Sequence, residues 1–199
     1  MSLGTLFMAA QLADLVWPTL VLAGVERFEI RPGITAVTPL DFVHYPYSHS
    51  LLALVLWGLA LGGGYVLATK GRLAAGALIA AVVLSHWLLD VATHRPDMPL
   101  APGDGVKLGL GLWDSVAATA AVEGTLFAAC VLLYARSTRA LDRTGRWALA
   151  GLVLFLWLIY AANLLGPPPP SVAAVAWSAQ AIWLLVAWGY WIDRHRSPI

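Results

Sequence analysis

The chain has 199 residues, of which 60% are hydrophobic and only 12% are charged, and its formal net charge is +1. A water-soluble domain has about a quarter of its residues charged, so this composition indicates an integral membrane protein. The near-neutral charge argues against a nucleic-acid-binding protein, which needs a concentrated basic surface. Cys130 is the only cysteine, which excludes an internal disulfide.

Six stretches are apolar and long enough to cross the roughly 30 Å hydrocarbon core of a bilayer as helices. They are residues 3–25, 48–69, 72–94, 112–135, 146–165 and 171–192. The first stretch lacks a basic segment before it and carries Gln11 and Asp14, so we expect a retained helix rather than a cleaved signal peptide. Gly58 and Gly62 form a small-xxx-small pair, which predicts close packing of the second helix on a neighbour.

The sequence therefore predicts an all-α fold, a polytopic transmembrane bundle of about six helices in a single domain, residues 1–199. Helices within residues 1–135 carry the intramembrane polar side chains, and those within 136–199 are expected to be scaffold. Arginine and lysine number eight in the 70–72 turn, the 136–146 loop and the C-terminal tail, against four in the 26–47 and 95–111 loops. By the positive-inside rule, both termini are expected in the cytoplasm and the two long loops on the outer side.

Ionisable side chains inside a membrane are costly and are therefore functional candidates. His86, Asp90 and His94 are spaced by four residues and form one narrow stripe on a helix. A histidine and a carboxylate one turn apart can bind the same metal ion. His94 is about 12 Å from His86 along the axis. It therefore fits a second ion, a position behind the first ligands or the mouth of the substrate site.

A second polar group, containing Asp41, His44 and His49, precedes the second apolar helix. Pro46 interrupts the chain between the two histidines, so they can converge instead of spreading along one helix. The start of the second helix and the end of the third lie on the same side of the membrane. This connectivity predicts that His49 lies near His86.

These residues predict a site for one divalent metal ion. A mixed histidine and carboxylate set suits zinc, and manganese or iron remain open. Either Asp14 or His44 would complete the set formed by the histidines and the acid of the two helices. The candidate ligands are Asp14, His49, His86, Asp90 and His94.

Three helices carry an ionisable side chain at a similar depth, about 12–17 Å from the outer helix ends. These residues, Asp14, His86 and Glu123, predict a buried pocket that opens outward. Glu123 is the candidate general base, and Asp41 and His44 are further catalytic candidates. Asp114 is about half a turn away from Glu123 around the helix, so both cannot face one pocket.

The pattern His44-x4-His49-Ser50, followed by His86-x3-Asp90, resembles the membrane-bound metal-dependent hydrolases known as the LexA-binding, inner-membrane-associated family. The resemblance covers about two thirds of the chain, from the first helix through the fourth. This chain departs from the family where Tyr45-Pro46 replaces Arg-Gly, and where Asp14 stands without the family's proline and second acid. The resemblance implies a hydrolase in a bacterial inner (plasma) membrane.

Together, these features favour a membrane-embedded metal-dependent hydrolase that acts on a lipid or another amphiphile through a metal-activated water. Membrane lipids are then its expected partners. Two alternatives stay open at this stage. One is an ion- or proton-coupled transporter or channel, since such proteins also use intramembrane His and Asp chains. The other is a membrane scaffold protein with a structural metal.

Overall fold

The computed structural model describes residues 1–103 and 105–199, and helices dominate it. The predicted all-α membrane bundle is confirmed. Five segments are long and apolar enough to cross a membrane, and a bent pair near the N-terminus makes a sixth if it counts as one span. The five are α4 (Leu51–Thr69), α5 (Leu73–Thr93), α6 (Val116–Ser137), α7 (Arg143–Leu165) and the pair α8 (Val172–Ala179) and α9 (Ile182–Asp193).

The first apolar stretch is broken into two helices. It consists of α1 (Leu3–Ala10) and α2 (Leu12–Leu22), whose axes differ in direction by 52°. The break falls at Gln11, although the proline of this stretch, Pro18, lies within α2. The last carbonyls of a helix have no partner inside it, so the break makes backbone oxygens available at the junction of α1 and α2.

Helices α4 and α5 form a tightly packed antiparallel hairpin. Lys70 ends α4 in the left-handed conformation, with φ of 50°, and only two residues separate it from α5. A Cβ atom added to Gly58 would lie 3.2 Å from the backbone of Ala80, and one added to Gly62 would collide with the carbonyl oxygen of Gly76. The predicted close packing at Gly58 and Gly62 is therefore confirmed.

Both long loops form small antiparallel sheets that the sequence did not predict. Strand β1 (Arg27–Ile30) pairs with β2 (Leu40–His44), and β3 (Met98–Pro99) pairs with β4 (Lys107–Leu108). A short helix, α3 (Pro46–His49), follows β2 and leads into α4, and a 3-10 turn (Leu112–Asp114) leads into α6. The hairpins pack together, because Tyr45 donates a hydrogen bond from its hydroxyl to Asp97 at 3.0 Å.

The opposite end of the bundle brings both termini together. Asp193, at the end of α9, accepts hydrogen bonds from the backbone N–H groups of Leu3 and Gly4. Strand β5 (Thr138–Ala140), which follows α6, pairs with β6 (Arg196–Pro198) in the C-terminal tail. The basic 136–146 loop and the basic tail therefore share one end of the molecule, opposite the two hairpins.

Candidate metal centre

Three side chains from separate segments converge where α1 and α2 meet. They are Asp14 of α2, His49 at the end of α3 and His86 of α5, and their potential ligand atoms all lie within 4.8 Å of one another. His49 Nε2 is 3.4 Å from Asp14 Oδ1, and His86 Nε2 is 3.9 Å from Asp14 Oδ2. We call these three residues the triad.

The hydrogen-bond partners of the two histidines decide which ring nitrogen faces the triad. His86 Nδ1 lies 2.8 Å from the carbonyl oxygen of Ala10, which can only accept, so this nitrogen carries a proton. His49 Nδ1 lies 2.7 Å from Ser48 Oγ, and that hydroxyl donates its proton to Glu26 at 2.6 Å. His49 Nδ1 must therefore also be a donor. In the neutral rings, both Nε2 lone pairs are then directed at Asp14.

Asp90 extends the triad by one carboxylate. Its Oδ2 atom is 3.2 Å from His86 Nε2, one helical turn along α5. That oxygen is buried and has no hydrogen-bond donor among the described residues. A buried carboxylate oxygen without a donor is unfavourable by itself, and a cation shared with His86 would satisfy it.

The donor set of the triad is one that could hold a metal ion. Ligands bound at about 2.0–2.2 Å from one ion cannot be more than about 4.3 Å apart. Three pairs fall below this limit, His49–Asp14, His86–Asp14 and His86–Asp90, the first two through different oxygens of Asp14. The three triad atoms share a wider limit of 4.8 Å, and that group does not include Asp90. Metal-bound histidines usually donate their other ring N–H to a carbonyl, a carboxylate or a similar acceptor, and both histidines of the triad do so here. The chemistry of the site therefore suits a divalent metal with nitrogen and oxygen ligands.

Two members of the triad, Asp14 and His86, border a cavity of about 560 Å³ between α2, α5, α6 and α7. Glu123 of α6 lines the same cavity and accepts a hydrogen bond from Trp113 Nε1 at 3.3 Å. Asp14, His86 and Glu123, which the sequence placed at one depth, thus surround one space. Tyr160 and Asn163 of α7 also line it, so a helix expected to be scaffold contributes polar groups.

The structure does not bring the remaining candidates into the triad. His44 is exposed at the end of β2, with its ring against that of Tyr47. Asp41 is buried in β2 and forms ion pairs with Arg31 and Arg95. Asp114 is exposed in the 3-10 turn, and the residue that caps α6 is the following serine.

His94 belongs to a second polar network, in the hairpins. Its Nδ1 atom is 3.0 Å from Asp97 Oδ1, and its ring packs against Trp113, with 4.4 Å between centroids. Asp97 also accepts hydrogen bonds from Tyr45 and Arg95. Burial alone would raise the pKa of Asp97, but these hydrogen bonds and the electrostatic interaction with His94 hold the pKa below its ordinary value. We call His94, Tyr45, Arg95, Asp97 and Asp41 the hairpin network.

Sequence reasoning missed the residues that support the triad from behind. Glu26 is buried, and its carboxylate accepts hydrogen bonds from Ser48 Oγ and from the backbone N–H groups of Tyr47 and Ser48. Ser48, which precedes His49 in the sequence, was a usable signal, because a short polar side chain beside a ligand histidine can orient the histidine ring. Glu26 gave no local signal, since it lies far from His49 in the sequence.

Comparisons of the chain with protein-family models, with curated proteins and with solved structures gave no match. The functional argument is therefore built on the residues and their geometry.

Proposed function

We propose that this chain is a membrane-embedded, metal-dependent hydrolase that acts on a lipid or another amphiphile. One observation carries the proposal: two histidines, whose Nδ1 atoms are bonded to groups outside the site, lie beside Asp14 and an oxygen of Asp90 that has no hydrogen-bond partner among the described residues. These groups adjoin a cavity that Glu123 also lines. Binding residues, an acid-base group and space for a substrate are thus adjacent. The family resemblance of the His49 and His86 motifs points to the same chemistry.

Asp14, His49, His86 and Asp90 would hold the ion. When bound, a zinc-like ion supplies Lewis-acid chemistry, because it polarises the scissile group and lowers the pKa of water. Glu123 would act as the general base that removes a proton from the attacking water, and the bond from Trp113 Nε1 orients its carboxylate. We assign no step to His44 or Asp41, whose side chains are engaged elsewhere.

The proposed location is a bacterial inner (plasma) membrane, with both termini in the cytoplasm and the two hairpins on the outer side. The end that would face the cytoplasm carries the basic 136–146 loop and the basic tail, which β5 and β6 join. Along α5, His86 is about 20 Å from Leu73 at the cytoplasmic end. The triad then lies in the outer half of a hydrocarbon core of roughly 30 Å.

Metal analysis of the purified protein tests the proposal first. The wild type is expected to contain about one transition-metal ion per chain, and His86→Ala and Asp90→Ala are expected to lose it while still unfolding cooperatively. His44→Ala, which removes an exposed histidine outside the triad, is the matched control and should keep the ion. Equal metal content in all four proteins would disprove the metal centre.

Catalysis is tested with Glu123→Gln. The variant is expected to keep the ion. Its kcat on lipid esters, phosphodiesters or amides should fall by about 10²–10⁴-fold, the usual contribution of a general base. Metal-dependent ion flux in liposomes, without hydrolysis of any of these substrates, would favour transport instead.

A further inference from the structure

A second cavity, of about 370 Å³, lies next to the one that contains Glu123. It is enclosed by α1, α6, α7 and α9, and most of its wall is apolar, as with Leu149, Val153 and Leu185. The first cavity is polar on one side, where Asp14, Asp90 and Glu123 lie, and apolar elsewhere. Polarity therefore decreases from the triad towards the second cavity.

The two cavities share three wall residues, Gln11, Phe127 and Leu156. They are therefore neighbours, and we treat them as one chamber with a neck at these side chains. Along α6, the chamber extends from Glu123 to Tyr134, a rise of about 16 Å. One leaflet of a hydrocarbon core of roughly 30 Å is about 15 Å thick, which is the length of one lipid chain.

Helix α6 forms one wall of this chamber. Thr119 is its only buried residue among those described, and its close backbone contacts are concentrated at the 3-10 turn and at β5, its two ends. The middle of α6 has few close backbone contacts with the other helices, and there Phe127 packs its ring against Trp157 of α7. A displacement of α6 at this point would open the chamber to the bilayer.

We infer that the chamber takes one hydrocarbon chain of an amphiphile, which enters from the side past α6 and leaves the polar group of the molecule beside Glu123 and the triad. The occupant follows from the walls, because only a molecule that is polar at one end and apolar along about 15 Å matches them. This inference rests on the proposed function for the role of the polar end, whereas binding of the chain can be measured without any turnover.

Cys130, the only cysteine of the chain, lines the second cavity and serves as the reporter. The protein is kept in a steroid-based detergent, whose rigid rings do not imitate an acyl chain, and is treated with a maleimide. A long-chain ether lysophospholipid, at about ten times its dissociation constant, should slow the labelling of Cys130 about tenfold, because about a tenth of the chambers then stay empty. A short-chain analogue should not slow it.

The matched control moves the thiol out of the chamber at nearly the same depth. In Ala129→Cys combined with Cys130→Ala, the new thiol is rotated by about 100° around α6 and lies outside the cavity wall. Its labelling should not respond to the lipid. Equal protection at both positions, or protection at neither, would overturn the inference. So would equal protection by an alkane of the same length, because the polar end would then have no part in binding.

A second variant tests the length of the chamber. Val153→Trp fills the second cavity and should abolish the protection of Cys130 by the long chain, whereas Leu154→Trp, on the exposed side of α7, should leave it intact. If both variants retain protection, the chain does not occupy this cavity. Protection in a protein that hydrolyses nothing would reject the hydrolase and keep the chamber, so the two proposals can fail separately.

Discussion

The orientation of two imidazole rings determines whether the triad can bind a metal. His86 is held by a backbone carbonyl, and His49 is held by Ser48, which is in turn bonded to Glu26. Each ring therefore directs Nε2 at Asp14. If either ring rotated, its Nε2 lone pair would leave the site, and the affinity for a metal would fall even though every ligand residue was still present.

Ser48→Ala should weaken metal binding without removing a ligand. His49 Nδ1 then loses its acceptor, and loss of such a supporting hydrogen bond typically costs about 10–100-fold in metal affinity. Competition with a chelator of known affinity measures the effect. Ser85→Ala is the matched control, because Ser85 is exposed, precedes the other histidine and bonds only to a carbonyl of its own helix. Equal affinity in both variants would show that Ser48 does not orient His49.

At this scale the sequence predicted that Asp14, His49 and His86 lie close together, and it did not predict the residues that surround them. Spacing by four residues placed His86 beside Asp90, and Pro46 allowed His49 to turn towards them. His94 was expected on the same stripe, but α5 ends at Thr93 and His94 has an extended ψ of 151°, so its side chain leaves the helical face. Support from Glu26 depends on the path of a loop, which local spacing cannot predict.

Among the elements, the α4–α5 hairpin has the strictest packing requirement. Gly62 faces Gly76 so closely that a methyl group on Gly62 would collide with backbone rather than with a movable side chain. Gly63, the next residue, has no atom within 4 Å of the position that a Cβ would occupy. These two neighbouring glycines of α4 therefore have different roles, and the small-xxx-small pattern correctly identified Gly62 as the one at the helix contact.

Gly62→Ala should destabilise the protein by about 1–3 kcal/mol, the usual cost of overpacking a filled interface. Gly63→Ala should be neutral or slightly stabilising, since alanine favours a helix over glycine by up to about 1 kcal/mol. Unfolding midpoints in detergent, followed by circular dichroism, compare the two. A similar midpoint in both variants would contradict the close approach of α4 and α5.

The two hairpins are joined through the hairpin network, and Asp97 accepts bonds from three of its side chains. Its pKa is lowered, so the carboxylate stabilises the fold at pH values above its ordinary pKa of about 3.9, and this contribution disappears as the pH falls through the lower folded value. Asp97→Asn should therefore destabilise the protein at neutral pH by about 1–3 kcal/mol.

This difference between the wild type and Asp97→Asn should shrink in acid, where the wild-type carboxyl is itself neutral. Unfolding midpoints measured from neutral pH down to about pH 2 would show the convergence. Asp114→Asn is the control, because Asp114 is exposed, and its effect should be small throughout. A difference that stayed constant with pH would mean that the charge of Asp97 contributes nothing.

At the scale of the whole molecule, the triad brings together segments that are far apart in the sequence. Asp14 follows the break between α1 and α2, His49 ends α3 and His86 lies within α5. Hydropathy gave the spans because each needs only enough apolar residues. It could not give the break at Gln11 or the sheets of the loops, because both depend on contacts between distant residues.

If the triad holds the proposed metal, removing it should lower the stability of the entire bundle. A ligand that binds only the folded state stabilises it by about 2.7 kcal/mol at a hundred times its dissociation constant. A chelator should lower the unfolding midpoint of the wild type, and added zinc should restore it. His86→Ala should respond to neither. An unchanged wild-type midpoint after verified metal loss would show that the ion does not join these segments.

The two histidines of the triad also differ in whether a single substitution can remove the hydrogen-bond partner of the Nδ1 atom. The acceptor of His49 is a side chain, so one codon change at Ser48 removes it. The acceptor of His86 is the carbonyl of Ala10, at the break between α1 and α2, and every amino acid has that oxygen. No substitution at position 10 deletes this bond directly. Only a change in the path of the main chain would remove this bond. The bend between α1 and α2, rather than the identity of residue 10, therefore keeps His86 in place.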